Sequence, residues 1–186
     1  MPRRLIKRFT ARFQPAVDRL VGQPWVQRYV PALADPDLWH LNRHSTARAV
    51  AIGLACGLAP GPLQSLSALA LCLLIRANFP LAFITTFYTN PLTIVPLYLV
   101  GYEIGLLFLP GSRHPGALKP PDITLSAAGV HEFVAWMAGL GRPLALGLVL
   151  LALTLAAVGY VAVRIAWRWH TVRAWRRRAR LRATPI

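Results

Sequence analysis

Residues 49–75 read AVAIGLACGLAPGPLQSLSALALCLLI and contain no charged side chain. From Ala77 to Pro110 the only charged residue is Glu103. Folding in water gives no reason to keep such long stretches free of charge, whereas an ion at the centre of a bilayer costs several kcal/mol. We therefore predict an all-α integral membrane protein, because helices satisfy their own backbone hydrogen bonds within the hydrocarbon region.

Prolines interrupt both apolar stretches. Pro60, Gly61 and Pro62 lie in the middle of the first stretch, and Pro91 follows Asn90 in the middle of the second. Each half-helix of the first stretch is about 20 Å long, too short to cross the roughly 30 Å hydrocarbon core alone. Paired interrupted segments, which can be re-entrant, are typical of a transporter-like binding site. Two kinked spanning helices, whose neighbours satisfy the freed backbone groups, explain the prolines equally well.

The chain divides into three regions. The first, residues 1–46, is a basic segment whose alternating basic and apolar residues suit a helix lying on a membrane surface. The membrane domain covers 47–163, with apolar segments at 47–75, 79–109, 123–141 and 143–163. The segment 123–141 is either a marginal span or an interfacial helix. An arginine-rich tail, residues 164–186, ends the chain.

The basic residues set the orientation. The formal net charge is +15, with nine Lys or Arg up to Arg48 and eight from Arg164 onward. The positive-inside rule places both ends in the cytoplasm, which requires an even number of crossings. Either all four segments span, or the first two are re-entrant hairpins and the last two span. Because the basic residues flank apolar spans, we expect anionic lipid headgroups as their partner and not nucleic acid.

Four short motifs lie in and around the first two stretches. They are Asp35-Pro36-Asp37-Leu38-Trp39-His40-Leu41-Asn42-Arg43, Pro60-Gly61-Pro62-Leu63-Gln64, Arg76-Ala77-Asn78-Phe79-Pro80 and Asn90-Pro91-Leu92-Thr93. Together with Tyr102 and Gly105 they resemble the bacterial membrane proteins classed as the domain of unknown function 2062 family. The resemblance covers about residues 35–110 and extends more loosely over 143–159. It implies a protein of the bacterial inner membrane and no established activity.

Uncharged polar side chains beside the breaks are the candidates for binding a solute or ion. They are Gln64, Asn78, Asn90 and Thr93, with Glu103 as an added charge. The structural alternative is that such residues only cap the ends of half-helices. His131 and Glu132 would form a titratable pair inside the membrane only if 123–141 spans; in an interfacial helix they face water.

Small residues at four-residue spacing predict close helix packing. They are Gly53 and Gly57 in the first stretch and Gly101 and Gly105 in the second. The two cysteines, Cys56 and Cys72, have no CxxC partner and are predicted to be packing residues. The sequence contains no Ser-His-Asp arrangement, phosphate-binding glycine loop or metal-ligand spacing. We therefore expect no enzyme activity, cofactor or metal site.

Two functions from different classes fit the sequence. The first is a transporter-like protein that handles a small solute, ion or lipid at its breaks. It would be a homodimer, because 186 residues are few for a complete translocation path. The second is a membrane-embedded scaffold or accessory subunit, which binds anionic lipid through its basic ends and docks another membrane protein. The two differ in whether the breaks form a polar cavity or are packed shut.

Overall fold

The computed structural model describes residues 41–112 and 127–183, together with positions 19, 22, 35, 38 and 39. Within these residues the regular structure is helical and contains no strand, as the sequence predicts. The helices are α1 (Arg43–Cys56), α2 (Pro62–Ile75), α3 (Phe79–Thr86), α4 (Ile94–Phe108) and α5 (Ala127–Ala183). Most of the predicted surface helix before the first apolar stretch lies outside the described residues.

Asparagine side chains start α1 and α3. The Oδ1 atom of Asn42 accepts hydrogen bonds from the backbone N–H groups of His44 and Ser45, at 2.9 and 2.8 Å. In the same way, Asn78 Oδ1 accepts from the Leu81 N–H at 3.0 Å. Each asparagine satisfies donors that the first turn of a helix leaves without an internal partner.

α1 and α2 form a hairpin. The chain turns over residues 57–61, where Gly61 has a φ of 55°, a conformation that favours glycine. Pro62 then takes the first position of α2, where a missing N–H breaks no helical hydrogen bond. At the other end of the hairpin, the Arg48 side chain donates to the carbonyl of Ile75 at 3.2 Å. α2 therefore returns to the level at which α1 begins.

α3 runs beside α1 in the same direction. A Cβ atom added to Gly53 would collide with the backbone carbonyl of Ala82, and one added to Gly57 would collide with the ring of Tyr88. Because residue numbers increase in the same direction along both helices at these contacts, α1 and α3 are parallel. The missing side chains allow the close approach, which is the packing that the sequence predicts for these glycines.

α4 packs against α5 and not against α3. The backbone of Gly105 lies against that of Pro143, and the backbone of Gly101 lies against that of Gly147. Rising numbers on α4 meet falling numbers on α5, so these two helices are antiparallel. Both predicted packing glycines of the second stretch thus face α5.

α5 bends at Gly141, whose φ of 59° and ψ of −142° are not helical, and then continues to Ala183. Beyond the contact with α4, Gly159 lies against the side chain of Leu54, so α5 also packs on α1. α1 and α4 therefore lie one after the other along α5. The described part of the predicted segment 123–141 and the segment 143–163 lie on the two sides of this bend, and the helix extends into the predicted tail as far as Ala183.

Two apolar clusters form the core of the described part. One joins Leu38 to α1, α2 and α3, and includes Ala49, Ile52, Cys56, Ala68, Cys72, Ala77 and Ala82. The other joins α4 to α5 through Tyr98, Tyr102, Leu140 and Leu144. Both cysteines are buried in the first cluster as free thiols.

The two interrupted stretches differ in topology. The first folds back on itself, whereas the second continues in one direction from α3 into α4. From the sequence, both stretches were expected to share one plan, either as spans or as hairpins. The difference has a physical cause: the first break holds a glycine at positive φ, and the second break begins a new helical turn.

Candidate functional site

The turn after α1 leaves backbone carbonyls without their helical donors. Four positions after Leu58 is Pro62, which has no N–H to donate. The hydroxyl of Tyr98, on α4, donates to the Leu58 carbonyl instead, at 2.7 Å. Tyr98 is fully buried, so water cannot replace its hydroxyl as the donor to this carbonyl. A hydroxyl from the second stretch thus replaces the donor that a proline removed from the first.

Two more hydroxyls of the second stretch bond to α1 and its turn. Thr89 Oγ1 donates to the carbonyl of Gly57 at 2.6 Å, and the Tyr88 hydroxyl donates to the carbonyl of Leu54 at 2.7 Å. We call Tyr88, Thr89 and Tyr98 the hydroxyl clasp. The clasp joins the turn of the first stretch to the break of the second, so the two interruptions meet in space.

The Asn-Pro-Leu-Thr motif starts the helical turn that leads into α4. Asn90 Oδ1 accepts from the N–H groups of Leu92 at 2.9 Å and Thr93 at 3.0 Å. In return, Thr93 Oγ1 accepts from the Asn90 N–H at 2.9 Å. This reciprocal pair is a capping box, and Pro91 occupies the position that favours proline. Asn90 and Thr93 are therefore engaged as caps, which is the structural alternative that the sequence offered.

The other predicted binding residues are dispersed. Gln64 is half-buried on α2, with its Oε1 atom 3.4 Å from Thr89 Oγ1, beside the clasp. Asn78 is only 2% exposed and caps α3 at the opposite end of that helix, about 12 Å from the break. Glu103 is exposed on α4 beyond the clasp. The structure thus gathers Gln64, Asn90 and Thr93 around the junction and leaves Asn78 and Glu103 outside it.

The remaining titratable candidates lie on the surface. Arg76, which follows α2, pairs with Asp35, with 3.7 Å between Nε and Oδ2. His131 and Glu132 are both exposed on α5. Among the described residues, no three His, Cys, Asp or Glu side chains are grouped to hold a metal ion.

The junction is closed by its own polar groups. Within the described residues, three buried side-chain atoms have no hydrogen-bond partner: Ser45 Oγ, Thr46 Oγ1 and Trp136 Nε1. None of these belongs to the clasp or to the capping box. The clasp hydroxyls were not predicted from the sequence. The only sign of them was Pro62, which has no N–H to donate to the Leu58 carbonyl, so this carbonyl needs another donor.

A basic cluster lies at the end of the bundle where α1 begins. Arg43 Nε donates to His44 Nε2 at 2.9 Å. The pKa of His44 is lowered, first by loss of surrounding water and then by the positive charges of Arg43, Arg164 and Arg48. The Arg164 guanidinium donates to the Tyr160 hydroxyl at 3.0 Å. Residues from α1 and α5 therefore concentrate positive charge at one end of the molecule.

Apolar side chains cover much of the outer surface. Between His131 and Arg173, α5 is long and apolar enough to cross a membrane, and only 17% of its most apolar window is buried within the protein. On α2, exposed leucines recur at helical spacing at Leu63, Leu66 and Leu74. Large exposed apolar surfaces mark contacts with a membrane or with another protein.

One comparison with known proteins gives a match. The family model described as an uncharacterized protein conserved in bacteria, DUF2062, matches residues 27–176. No curated protein and no solved structure matches the chain.

Proposed function

Because that match covers most of the chain, the protein belongs to the DUF2062 family of uncharacterised bacterial proteins; we propose that it is a membrane-embedded scaffold or accessory subunit of the inner membrane. Its two broken segments lock a compact bundle, and its basic ends act at the cytoplasmic surface. The proposal assigns it no catalytic activity, cofactor or metal.

The exposed apolar surface of α5 supports insertion in a membrane. The core helix of a soluble protein would bury its apolar residues, whereas here most of the apolar window faces outward. The arginines follow directly after this window, beginning at Arg164. The exposed apolar part of the helix suits the hydrocarbon core of a bilayer, and the exposed basic part that follows suits the headgroup layer.

The hairpin of α1 and α2 makes the proposed topology testable. In the proposed orientation, α1 enters from the cytoplasm and α2 returns, so Arg76 lies on the cytoplasmic side. α3 and α4 together cross outward, and α5 crosses back. We would introduce Arg76→Cys after replacing Cys56 and Cys72 with alanine, and label intact cells with an impermeant thiol reagent. Labelling only after the cells are opened is the expected result, and labelling from outside would contradict the hairpin orientation.

The closed junction is the observation that carries the scaffold proposal. The Gly57 and Leu58 carbonyls, which could otherwise bind a cation or a polar solute, accept from Thr89 and Tyr98. The asparagine and threonine of the second break bond to each other's backbone. A junction whose polar groups satisfy one another serves to hold two segments together.

The scaffold proposal also needs a surface for a partner, and the end of α5 supplies one. Beyond the apolar part, the helix exposes Arg168, Arg173 and Arg176. The Cζ atom of Arg173 lies 3.6 Å from the centroid of the Trp169 ring. We would isolate the protein from its native membrane in mild detergent and compare it with the Arg173→Gln, Arg176→Gln variant. A stoichiometric second protein that is lost from the variant is the expected result. Recovery of the protein alone, as a monomer or homodimer, would count against a scaffold.

A transporter-like centre is the second candidate, favoured by the meeting of the two breaks. The clasp bonds run from side chains to backbone, so the hydroxyls could rotate away and expose carbonyls to a small solute or ion. We would test this by introducing Asn90→Cys into the Cys56→Ala, Cys72→Ala background and measuring whether a small hydrophilic thiol reagent labels the new cysteine. The matched control is cysteine at position 92, where Leu92 is 86% exposed and would face lipid. Labelling at 90 but not at 92 would favour transport, and labelling at neither would favour the scaffold.

A further inference from the structure

We propose that Arg43, Arg48 and Arg164 form a binding site for the phosphate group of an anionic phospholipid. This inference rests on the proposed insertion in a membrane, and adds a defined site to the general attraction of basic ends for lipid. It concerns the end of the bundle where α1 starts, away from the junction of the two breaks.

Three arginines from two helices lie at this end of the bundle. α1 contributes Arg43 and Arg48, and α5 contributes Arg164; all three are exposed. Gly159 of α5 lies against Leu54 and Val50 of α1, and the two helices run antiparallel, so Arg164, five residues further along α5, reaches the end at which α1 starts. The lowered pKa of His44 agrees with this placement. The cluster is therefore a tertiary arrangement, since α5 brings Arg164 to α1 from more than a hundred residues away in sequence.

Each guanidinium is oriented by one hydrogen bond and keeps further donors. Arg48 bonds to the Ile75 carbonyl at 3.2 Å, Arg164 to the Tyr160 hydroxyl at 3.0 Å, and Arg43 to His44 at 2.9 Å. A guanidinium carries five N–H donors, so most donors on each remain for an anion. The forked geometry of arginine fits phosphate oxygens in pairs, which lysine cannot reproduce.

The described residues place no paired carboxylate on the three arginines of the cluster. The carboxylate at this end, Asp35, pairs with Arg76. Like charges held near one another repel unless an anion lies between them. The arrangement therefore favours a bound group that carries negative charge and several acceptor oxygens, which a phosphate provides.

The position of the cluster favours a lipid as the source of this phosphate. The uncharged run of α5 ends at Val163, and the exposed side chains of Val161 and Ile165 are neighbours of Arg164 on that helix. A headgroup bound at Arg164 would thus have apolar surface beside it for its acyl chains. Free inorganic phosphate has the same oxygens but would gain nothing from that surface.

The test uses the full chain, purified in uncharged detergent and titrated with phosphatidylglycerol, with bound lipid counted by native mass spectrometry. A basic residue near a lipid surface contributes about fivefold in affinity, so the Arg48→Gln, Arg164→Gln variant should bind the tightest lipid about 25-fold more weakly. The matched control is Arg142→Gln, which removes one exposed arginine from the same helix far from the cluster and should change binding by twofold or less, against about fivefold for Arg164→Gln alone. The Arg48→Lys, Arg164→Lys variant keeps the charge and should lie between the two.

Three results would overturn the proposal. Equal losses in the site variant and its matched control would mean general surface attraction. Phosphatidylcholine binding as tightly as phosphatidylglycerol would mean that the phosphate is not recognised as part of an anionic lipid. Displacement of the lipid by an equal concentration of inorganic phosphate would make free phosphate the ligand. Washing the membranes with carbonate tests insertion separately, because an inserted protein stays in the membrane fraction. If every variant stays in that fraction but all variants bind lipid equally, only the lipid site is refuted and the proposed insertion stands.

Discussion

Replacing Thr89 with valine tests whether the hydroxyl clasp stabilises the fold. Valine keeps the shape of the side chain and removes the hydroxyl that donates to the Gly57 carbonyl at 2.6 Å. Thr89 is 8% exposed, so water cannot easily replace the lost donor. An unsatisfied buried acceptor costs about 1–3 kcal/mol in soluble proteins, and hydrogen bonds between membrane helices average about 0.6 kcal/mol. We therefore expect a loss of about 1 kcal/mol, or about 2–4 °C in the melting temperature of a chain of this size.

The assay is thermal unfolding of the purified protein in detergent, followed by tryptophan fluorescence. The control is Thr154→Val, which makes the same chemical change at an exposed threonine whose hydroxyl bonds to the Leu150 carbonyl of its own helix. Thr89→Ser keeps the hydroxyl and should recover part of the loss. Adding Tyr98→Phe removes the donor to a second carbonyl and should roughly double the effect. If Thr89→Val and Thr154→Val lower the melting temperature equally, the clasp does not stabilise the junction and the reasoning fails.

Two further predictions address the α4–α5 contact and the basic cluster. Gly105→Leu places a side chain against the backbone of Pro143 and should abolish a monodisperse peak in size-exclusion chromatography, whereas Gly139→Leu, with open space around its Cβ position, should leave the peak unchanged. His44 should titrate below its ordinary pKa of 6.5 in NMR spectra, and Arg164→Gln should raise that pKa by removing a positive charge. Because the fold lowers the pKa of His44, it favours the neutral imidazole. This contribution to stability is therefore present above pH 6.5 and is lost as the pH falls through the lowered pKa. An unchanged His44 pKa in Arg164→Gln would place Arg164 away from the ring.

The positions of the interruptions could be predicted from the sequence because proline acts locally. A proline has no N–H, and its ring disfavours the helical conformation of the residue before it. Pro60 and Pro62 therefore marked the first break, and Pro91 the second, without knowledge of any tertiary contact. The helix α1 nevertheless ends at Cys56, upstream of both prolines, because the carbonyls four residues before them have already lost their donors.

The direction of the chain after each break could not be predicted from the prolines. Gly61 has a positive φ, which turns the chain back, but a glycine between two prolines fits a kink equally well. At the second break, the capping box of Asn90 and Thr93 starts a new helical turn that carries the chain onward. Whether the new helix packs beside the old one or beyond it depends on α5, whose contacts lie far away in sequence.

The family motifs are largely explained by helix starts. Asn42, Asn78 and Asn90 occur in three of the quoted motifs, and each accepts N–H groups at the beginning of a helical turn. Sequence analysis offered binding and capping as alternatives for Asn78 and Asn90, since a polar side chain beside a break suits both. The clasp partners were harder to find, because a tyrosine or threonine in an apolar helix gives no sign of which distant carbonyl its hydroxyl will reach.

The contacts of α5 explain why a closed scaffold requires less movement than a transporter. To open the junction, α4 must separate from the turn after α1, since Tyr98 holds the Leu58 carbonyl. α5 packs against the backbone of α4 at Gly105, and against α1 where Gly159 meets the side chain of Leu54. The backbone contact with α4 leaves no flexible side chain to adjust, so a movement of α4 away from the turn would require α5 to move with it or to separate from it. A transport cycle would therefore have to displace this long helix, and a partner bound at its basic end would oppose or drive that displacement.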